Sequence, residues 1–175
     1  MLTNIKVRKE ITSDHFQKMN ILDDCFGLNR LNRTVYMYRK SLPIKSLSLI
    51  SCFKENPIKV VGTISFYGVF VEKTDCLLLG PLAVEKKYQG KGFGKKLVEI
   101  GLKKARSNNE KICFVSGQYN YYKEFGFEKI TNKNLNISIL GPLSFEGLLI
   151  CELKDNAASL LKNNSKLLPS INYKL

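Results

Sequence analysis

Apolar and polar positions change their rhythm twice along this chain of 175 residues. Near the start, Ile5 and Val7 alternate with Lys6 and Arg8, which predicts a short strand over Asn4 to Glu10. Thr12-Ser13-Asp14 is a helix-starting cluster, and Phe16, Met19, Leu22, Cys25 and Phe26 then recur at helical spacing up to Gly27. Val35, Tyr36, Tyr38 and Arg39 suggest a second helix over residues 31–42, closed by Pro43. From there the period shortens. Leu47 to Phe53, Val60 to Val71 and Cys76 to Val84 read as strands. Their connections are the Glu55-Asn56-Pro57 turn and the polar Glu72-Lys73-Thr74-Asp75 segment, so the middle of the chain is expected to be an antiparallel meander.

A helical period then returns over Gly92 to Ser107. Phe93, Leu97, Ile100, Leu102 and Ala105 form its apolar face, and Lys95, Lys96, Lys103 and Lys104 its wet one. Ile112 to Val115 reads as a buried strand, so residues 76–115 predict a right-handed strand–helix–strand crossover. Residues 119–125 form a brief helix ended by Gly126. Phe127 to Ile130 and Leu148 to Leu153 are the remaining strands, the second of them the last. The expected organisation is one domain over residues 1–154, followed by a tail over 155–175 that is packed or partly mobile.

Composition removes several classes. A hydrophobic share of 44% and a charged share of 25% fit a globular protein. No apolar stretch reaches the ~18–20 residues of a membrane helix, and the first residues lack a secretory core, so a cytoplasmic protein with no membrane partner is expected. The five cysteines (Cys25, Cys52, Cys76, Cys113, Cys151) are scattered and expected to be reduced. Their spacing does not fit a zinc site, and His15, the only histidine, reads as a surface or packing residue; no metal is expected. The net charge of +13 raises the question of nucleic acid. It comes from 23 Lys and 5 Arg, a bias that AT-rich coding would produce, and planar recognition of phosphates or bases would favour Arg. Nucleic acid is therefore disfavoured as a partner.

The candidate chemistry lies where the third predicted strand gives way to a helix. Gln89-Gly90-Lys91-Gly92-Phe93-Gly94 would present bare backbone N–H groups at a helix N-terminus, which suits a phosphate-bearing ligand. The spacing is not the G-x-G-x-x-G of dinucleotide folds, and the P-loop and protein-kinase signatures are absent.

Leu82-Ala83-Val84, the 89–94 loop and Tyr121-Tyr122-Lys123-Glu124-Phe125-Gly126-Phe127 together resemble the GNAT family of acyl-CoA-dependent acetyltransferases, over about residues 58–130. The resemblance implies an α/β fold: a mixed, mostly antiparallel sheet flanked by helices and splayed at an acetyl-CoA site. The family's Q/R-x-x-G-x-G/A motif falls on Gln89, Gly92 and Gly94. Backbone amides of Gln89, Gly90, Lys91, Gly92, Phe93, Gly94 and Lys95 would then hold the pyrophosphate, with Lys86, Lys87, Lys91, Lys95 and Lys96 adding charge. Backbone groups of Leu82, Ala83 and Val84 would pair with pantetheine and polarise the thioester carbonyl. Pro81, which cannot donate to a ladder, suits a site of broken pairing. Tyr122 aligns with the family's general acid and Tyr121 with a packing residue.

Two departures stand beside this. The family's CoA-contacting Asn is replaced by Val115, with Ser116 or Asn120 as substitutes. None of Glu72, Asp75 and Glu85 makes a convincing general base. The implied function is direct acetyl transfer from acetyl-CoA to an amine of a small molecule or peptide, by a monomer or homodimer. The alternative is a non-catalytic acyl-CoA-binding module. The acceptor pocket is expected between the first two helices and the loop 131–147.

Overall fold

The computed structural model describes residues 4–32, 34–140, 147–171 and 173. The first half holds β1 (Ile5–Lys9), α1 (His15–Phe26), β2 (Leu49–Phe53), β3 (Gly62–Val71) and β4 (Thr74–Val84). After them come α2 (Phe93–Ser107), β5 (Ile112–Ser116), α3 (Tyr119–Tyr122), β6 (Glu128–Lys129), β7 (Ile137–Ser138), β8 (Leu148–Glu152) and β9 (Ser165–Pro169).

The predicted meander is present: β1, β2, β3 and β4 are consecutive antiparallel neighbours. The chain then crosses through α2 and returns as β5, parallel to β4. Beyond β5 lie β8 and β6, both antiparallel pairings. The result is the mixed, mostly antiparallel sheet expected, with helices on its faces. Strand alternation sorts the side chains between two layers. Leu77, Leu79, Cys113 and Val115 point to one face, where Leu97, Val98, Leu102 and Ala105 of α2 cover them. On the other face Ile21 and Leu22 of α1 lie on Ile50, Val60 and Ala83, while Cys76, Leu78 and Phe114 meet Tyr38, Leu161 and Leu167.

Three expectations are corrected. The described residues of 31–42 do not form an α-helix; two 3-10 turns, Leu28–Asn32 and Thr34–Tyr38, take its place. Asn29, Asn32, Thr34 and Val35 are weak helix formers, and Tyr38 is drawn into the core at 1% exposure, where its hydroxyl accepts the Leu140 N–H. Leu148–Glu152 is not the last strand, because β9 follows it. β9 pairs antiparallel with the end of β3 and parallel with β7, a two-residue strand with no sequence signal. Asp14 begins α1, but its carboxylate does not cap the helix: it accepts from both Arg8 Nη groups, at 2.6 and 2.7 Å, and from the Ile11 N–H at 2.8 Å.

One irregularity opens the sheet. β4 pairs with β5 only at Leu77↔Cys113, Leu78↔Phe114 and Leu79↔Val115. Between the pairs Phe66↔Leu79 and Ile64↔Leu82, the single residue Ser65 of β3 faces both Gly80 and Pro81. This bulge bends β4 away from β5. Leu82, Ala83 and Val84 stay paired to Ile64, Thr63 and Gly62 on one side. Among the described residues, no strand pairs with their other edge.

Candidate functional site

The loop after β4 is built to aim backbone donors. Lys86–Tyr88 makes one 3-10 turn, and Gly92 takes φ 88° as the residue before α2. An L-side chain rarely adopts that left-handed conformation. The first backbone bond into the helix runs from Lys96 N–H to Gly92 O at 3.0 Å. The N–H groups of Phe93, Gly94 and Lys95 therefore have no partner within the helix, and the helix dipole adds positive potential there. Two other amides of the loop are engaged within it: Gln89 N–H donates to Lys86 O and Lys91 N–H to Tyr88 O, each at 3.3 Å.

Side chains hold this loop in place. Gln89 Nε2 donates to Val84 O at 3.0 Å, tying the loop to the end of β4. Phe53, Tyr88 and Phe93 form an aromatic cluster beneath it, with ring centroids 5.2 to 5.8 Å apart. Phe93 is buried at 3% exposure, so its ring anchors the helix start. A Cβ built on Gly94 would stand 3.0 Å from Tyr121 Oη, so a side chain here would push the tyrosine hydroxyl aside.

A cavity of about 490 Å³ lies over the loop and the free edge of β4. Leu82, Ala83, Val84, Gln89, Gly90, Gly92, Gly94 and Lys95 line it, together with Cys25, Phe26, Tyr88 and Tyr121. Of the expected cofactor residues, Lys91 and Phe93 do not line it: Lys91 Nζ lies 5.4 Å from the Tyr88 ring centre and Phe93 is core. Lys95, Lys96 and Lys87 pair with Glu124, Glu99 and Glu85.

A second cavity, about 550 Å³, adjoins the first and shares Phe26 and Leu82 as walls. Its lining is Arg30, Asn32, Val35, Tyr36, Arg39, Leu79, Gly80, Pro81, Val115, Ser116, Gly117 and Tyr122, besides the two shared residues. Tyr122 is 8% exposed and stacks edge-on with Tyr121 and Phe127. Burial pushes its phenol well above the ordinary tyrosine range, and burial also pushes Tyr121 up to about 12. The two neighbours thus part company: Tyr121 faces the loop cavity and Tyr122 the second one.

No Asp or Glu lines either cavity among the described residues. Glu72 and Asp75 are exposed at the far end of β4, and His15 is exposed on α1. Ser116 lines the second cavity, whereas Asn120 is exposed and accepts from Lys123 Nζ at 3.4 Å. Of the loop expected to wall the acceptor, residues 131–140 do not reach this cavity and 141–146 lie outside the described residues. Arg39 and Tyr36 were missed as site residues because they sit in the segment read as a helix, and Arg30 because it falls between the two predicted helices. Their signal was compositional: two of only five arginines in a lysine-rich chain line one cavity.

The model of the GNAT acetyltransferase domain matches residues 50–129, which hold all of β2 but Leu49, β3 through β6 and the whole glycine loop. This part of the chain is similar to the GNAT acetyltransferase domain. Two curated relatives from Escherichia coli K12, both described as uncharacterized N-acetyltransferases, are similar over the same region. YhbS is 33% identical over 79 residues, 44% of this chain and 47% of its own length. YjhQ is 37% identical over 87 residues, 47% of this chain and 46% of its own. The chain thus spans about half the length of the curated relatives it matches. The fold likeness is wider. The crystal structure of E. coli YhbS in complex with CoA matches with a TM-score of 0.79 at 23% identity, over 95% of this chain and 90% of that one. A GNAT acetyltransferase from Brucella melitensis, solved with acetyl-CoA, gives 0.57 at 28% identity over 71% and 82%. Among the described residues, no helix is long and apolar enough to cross a membrane.

Proposed function

We propose that this chain transfers an acetyl group from acetyl-CoA to an amine by direct attack. The observation that carries the reading is the adjacency of two cavities at Leu82, one ending on a helix N-terminus and the other containing Tyr122. The free amides of the first turn of α2, with Gly90 and Gly92, would take the pyrophosphate. Pantetheine would run along the unpaired edge of Leu82, Ala83 and Val84, adding a strand-like partner where β5 has turned away. Its thioester would then lie at the mouth of the second cavity, where the amine arrives.

The reaction needs the amine nitrogen to attack the carbonyl carbon, the C–S bond to break, and one proton to leave nitrogen as another reaches sulfur. Tyr122 suits the second transfer. Its raised phenol stays protonated at every working pH, so it meets the leaving thiolate as a donor. Proton loss from the amine goes to water, because among the described residues the cavity walls supply no carboxylate. A cytoplasmic site of action fits the five free thiols.

That absent carboxylate also favours a second reading, a module that binds acyl-CoA without turnover. One experiment separates the two. Thiol release from acetyl-CoA in the presence of an amine panel supports transfer; tight acetyl-CoA binding with no amine consumed supports the binding module.

A further inference from the structure

Arg39 is set in the wall of the second cavity under unusual conditions. Its guanidinium carbon lies 4.6 Å from the centre of the Tyr36 ring and 5.7 Å from that of Tyr67. Its Nη2 packs so close to the β4 bulge that a Cβ on Gly80 would stand 2.8 Å from it. Its buried Nε has no hydrogen-bond partner. Among the described residues, no Asp or Glu forms an ion pair with it. The neighbouring arginine differs in this respect: Arg30, in the same wall, pairs with Asp23 at 3.0 Å. Arg8, elsewhere on the sheet, is matched by Asp14.

A guanidinium keeps its charge even when desolvated. A buried charge left without a counter-ion is unfavourable, so such groups are paired or await a partner. Here burial disfavours the charge, and neighbouring tyrosines offset it, Tyr36 through a side-chain hydrogen bond as well as its ring face, with no carboxylate among the offsetting groups. The fork is also placed where a ligand would use it. It borders the bulge at Gly80 and Pro81, where the proposed thioester arrives, and it is close enough to Tyr122 for its charge to be felt there. Bidentate recognition of a carboxylate or phosphate is the chemistry a planar fork offers and a lysine does not.

We infer that Arg39 receives an anionic group of the acceptor, so that the amine acetylated is one carrying a carboxylate or phosphate only a few bonds from its nitrogen. This rests on the transferase reading above and narrows its substrate class. Val35, Leu79 and Val115 would face the apolar part of such a molecule.

The test is a titration of matched amines into the full chain loaded with CoA. The pairs are L-leucine and L-leucinamide, β-alanine and β-alaninamide, and phosphoethanolamine and ethanolamine, read by calorimetry or NMR shifts. At least one anionic member is expected to bind tenfold or more tighter than its neutral partner. That preference should fall below threefold in Arg39→Gln and survive in part in Arg39→Lys, with the acetyl-CoA affinity of both variants unchanged. The phosphate pair against the carboxylate pairs tells which anion is taken. No binding by any anionic member, equal binding within the wild-type pairs, or a preference retained in Arg39→Gln would overturn the inference. Because the titration reads the amines directly, the wild-type pairs decide the matter even if a variant folds poorly. Wild-type chain that takes anionic amines yet fails to bind acetyl-CoA would contradict the transferase reading alone.

Discussion

The Gln89 side-chain amide donates to the Val84 carbonyl at 3.0 Å, and this one bond fixes the glycine loop against the strand end that leads into it. The bond joins the two halves of the proposed cofactor site. A neutral hydrogen bond of this kind is worth about 1 kcal/mol. Gln89→Ala is expected to weaken acetyl-CoA binding by about fivefold with no change in fold. Calorimetry on the variant, beside a circular dichroism melt, checks it; wild-type affinity would mean the bond has no part in the site.

Gly94 and Tyr121 form a second tight pair, because a Cβ on Gly94 would meet the tyrosine hydroxyl at 3.0 Å. Forcing a methyl into such a contact costs about 1 kcal/mol or more. Gly94→Ala should lower acetyl-CoA affinity by about tenfold, and adding Tyr121→Phe should restore most of the loss. A double variant no better than the single one would show that the hydroxyl is not the obstacle.

Tyr122 predicts a kinetic signature. Tyr122→Phe should cut kcat by about a hundredfold while leaving the acetyl-CoA dissociation constant unchanged. The sign of its pH dependence follows from burial. Since the phenol is held well above its ordinary range, the donor form persists as pH rises, and turnover should not fall through about pH 10, where a free tyrosine ionises. A descending limb centred there, absent in Tyr122→Phe, would contradict this.

How much of this was legible before the fold was known depended on how local the signal was. Gly92 and Gln89 carry their message in a few residues of spacing, and so did the strand and helix on either side. The sheet opening was legible only by resemblance, because Pro81 hints at broken pairing without saying which neighbour departs. Arg39 and Tyr36 were not legible. They lie in a segment whose shape is set by Tyr38 reaching the core as well as by its own weak helix propensity. β9 was missed for the same reason: Ser165 and Leu167 are buried against Lys166 exposed, but three alternating positions are too few to announce a strand.

Asp14 offers a stability test away from the site. Burial raises its carboxyl, yet the Arg8 guanidinium and the Ile11 N–H outweigh that and leave it below the usual carboxylate range. A lowered folded value means the stabilisation is full above the unfolded value, about 3.9, and is lost as pH falls through the folded one. Breaking a buried pair on one side costs about 3 kcal/mol. Asp14→Asn should therefore unfold at lower urea at pH 7, with the gap to wild type closing below about pH 4. Equal midpoints at pH 7 would refute the pairing.

The central claim is that the loop ending in Gly92 holds the pyrophosphate of acetyl-CoA, and a titration of acetyl-CoA into wild type and Gly92→Glu tests it most directly. The substitution puts a side chain at φ 88° and a carboxylate beside the phosphates. Backbone strain and like-charge repulsion together should amount to about 3 kcal/mol, or a hundredfold in affinity. One acetyl-CoA per wild-type chain, with binding lost in a folded Gly92→Glu, is the predicted result. Equal binding by the two would contradict the account.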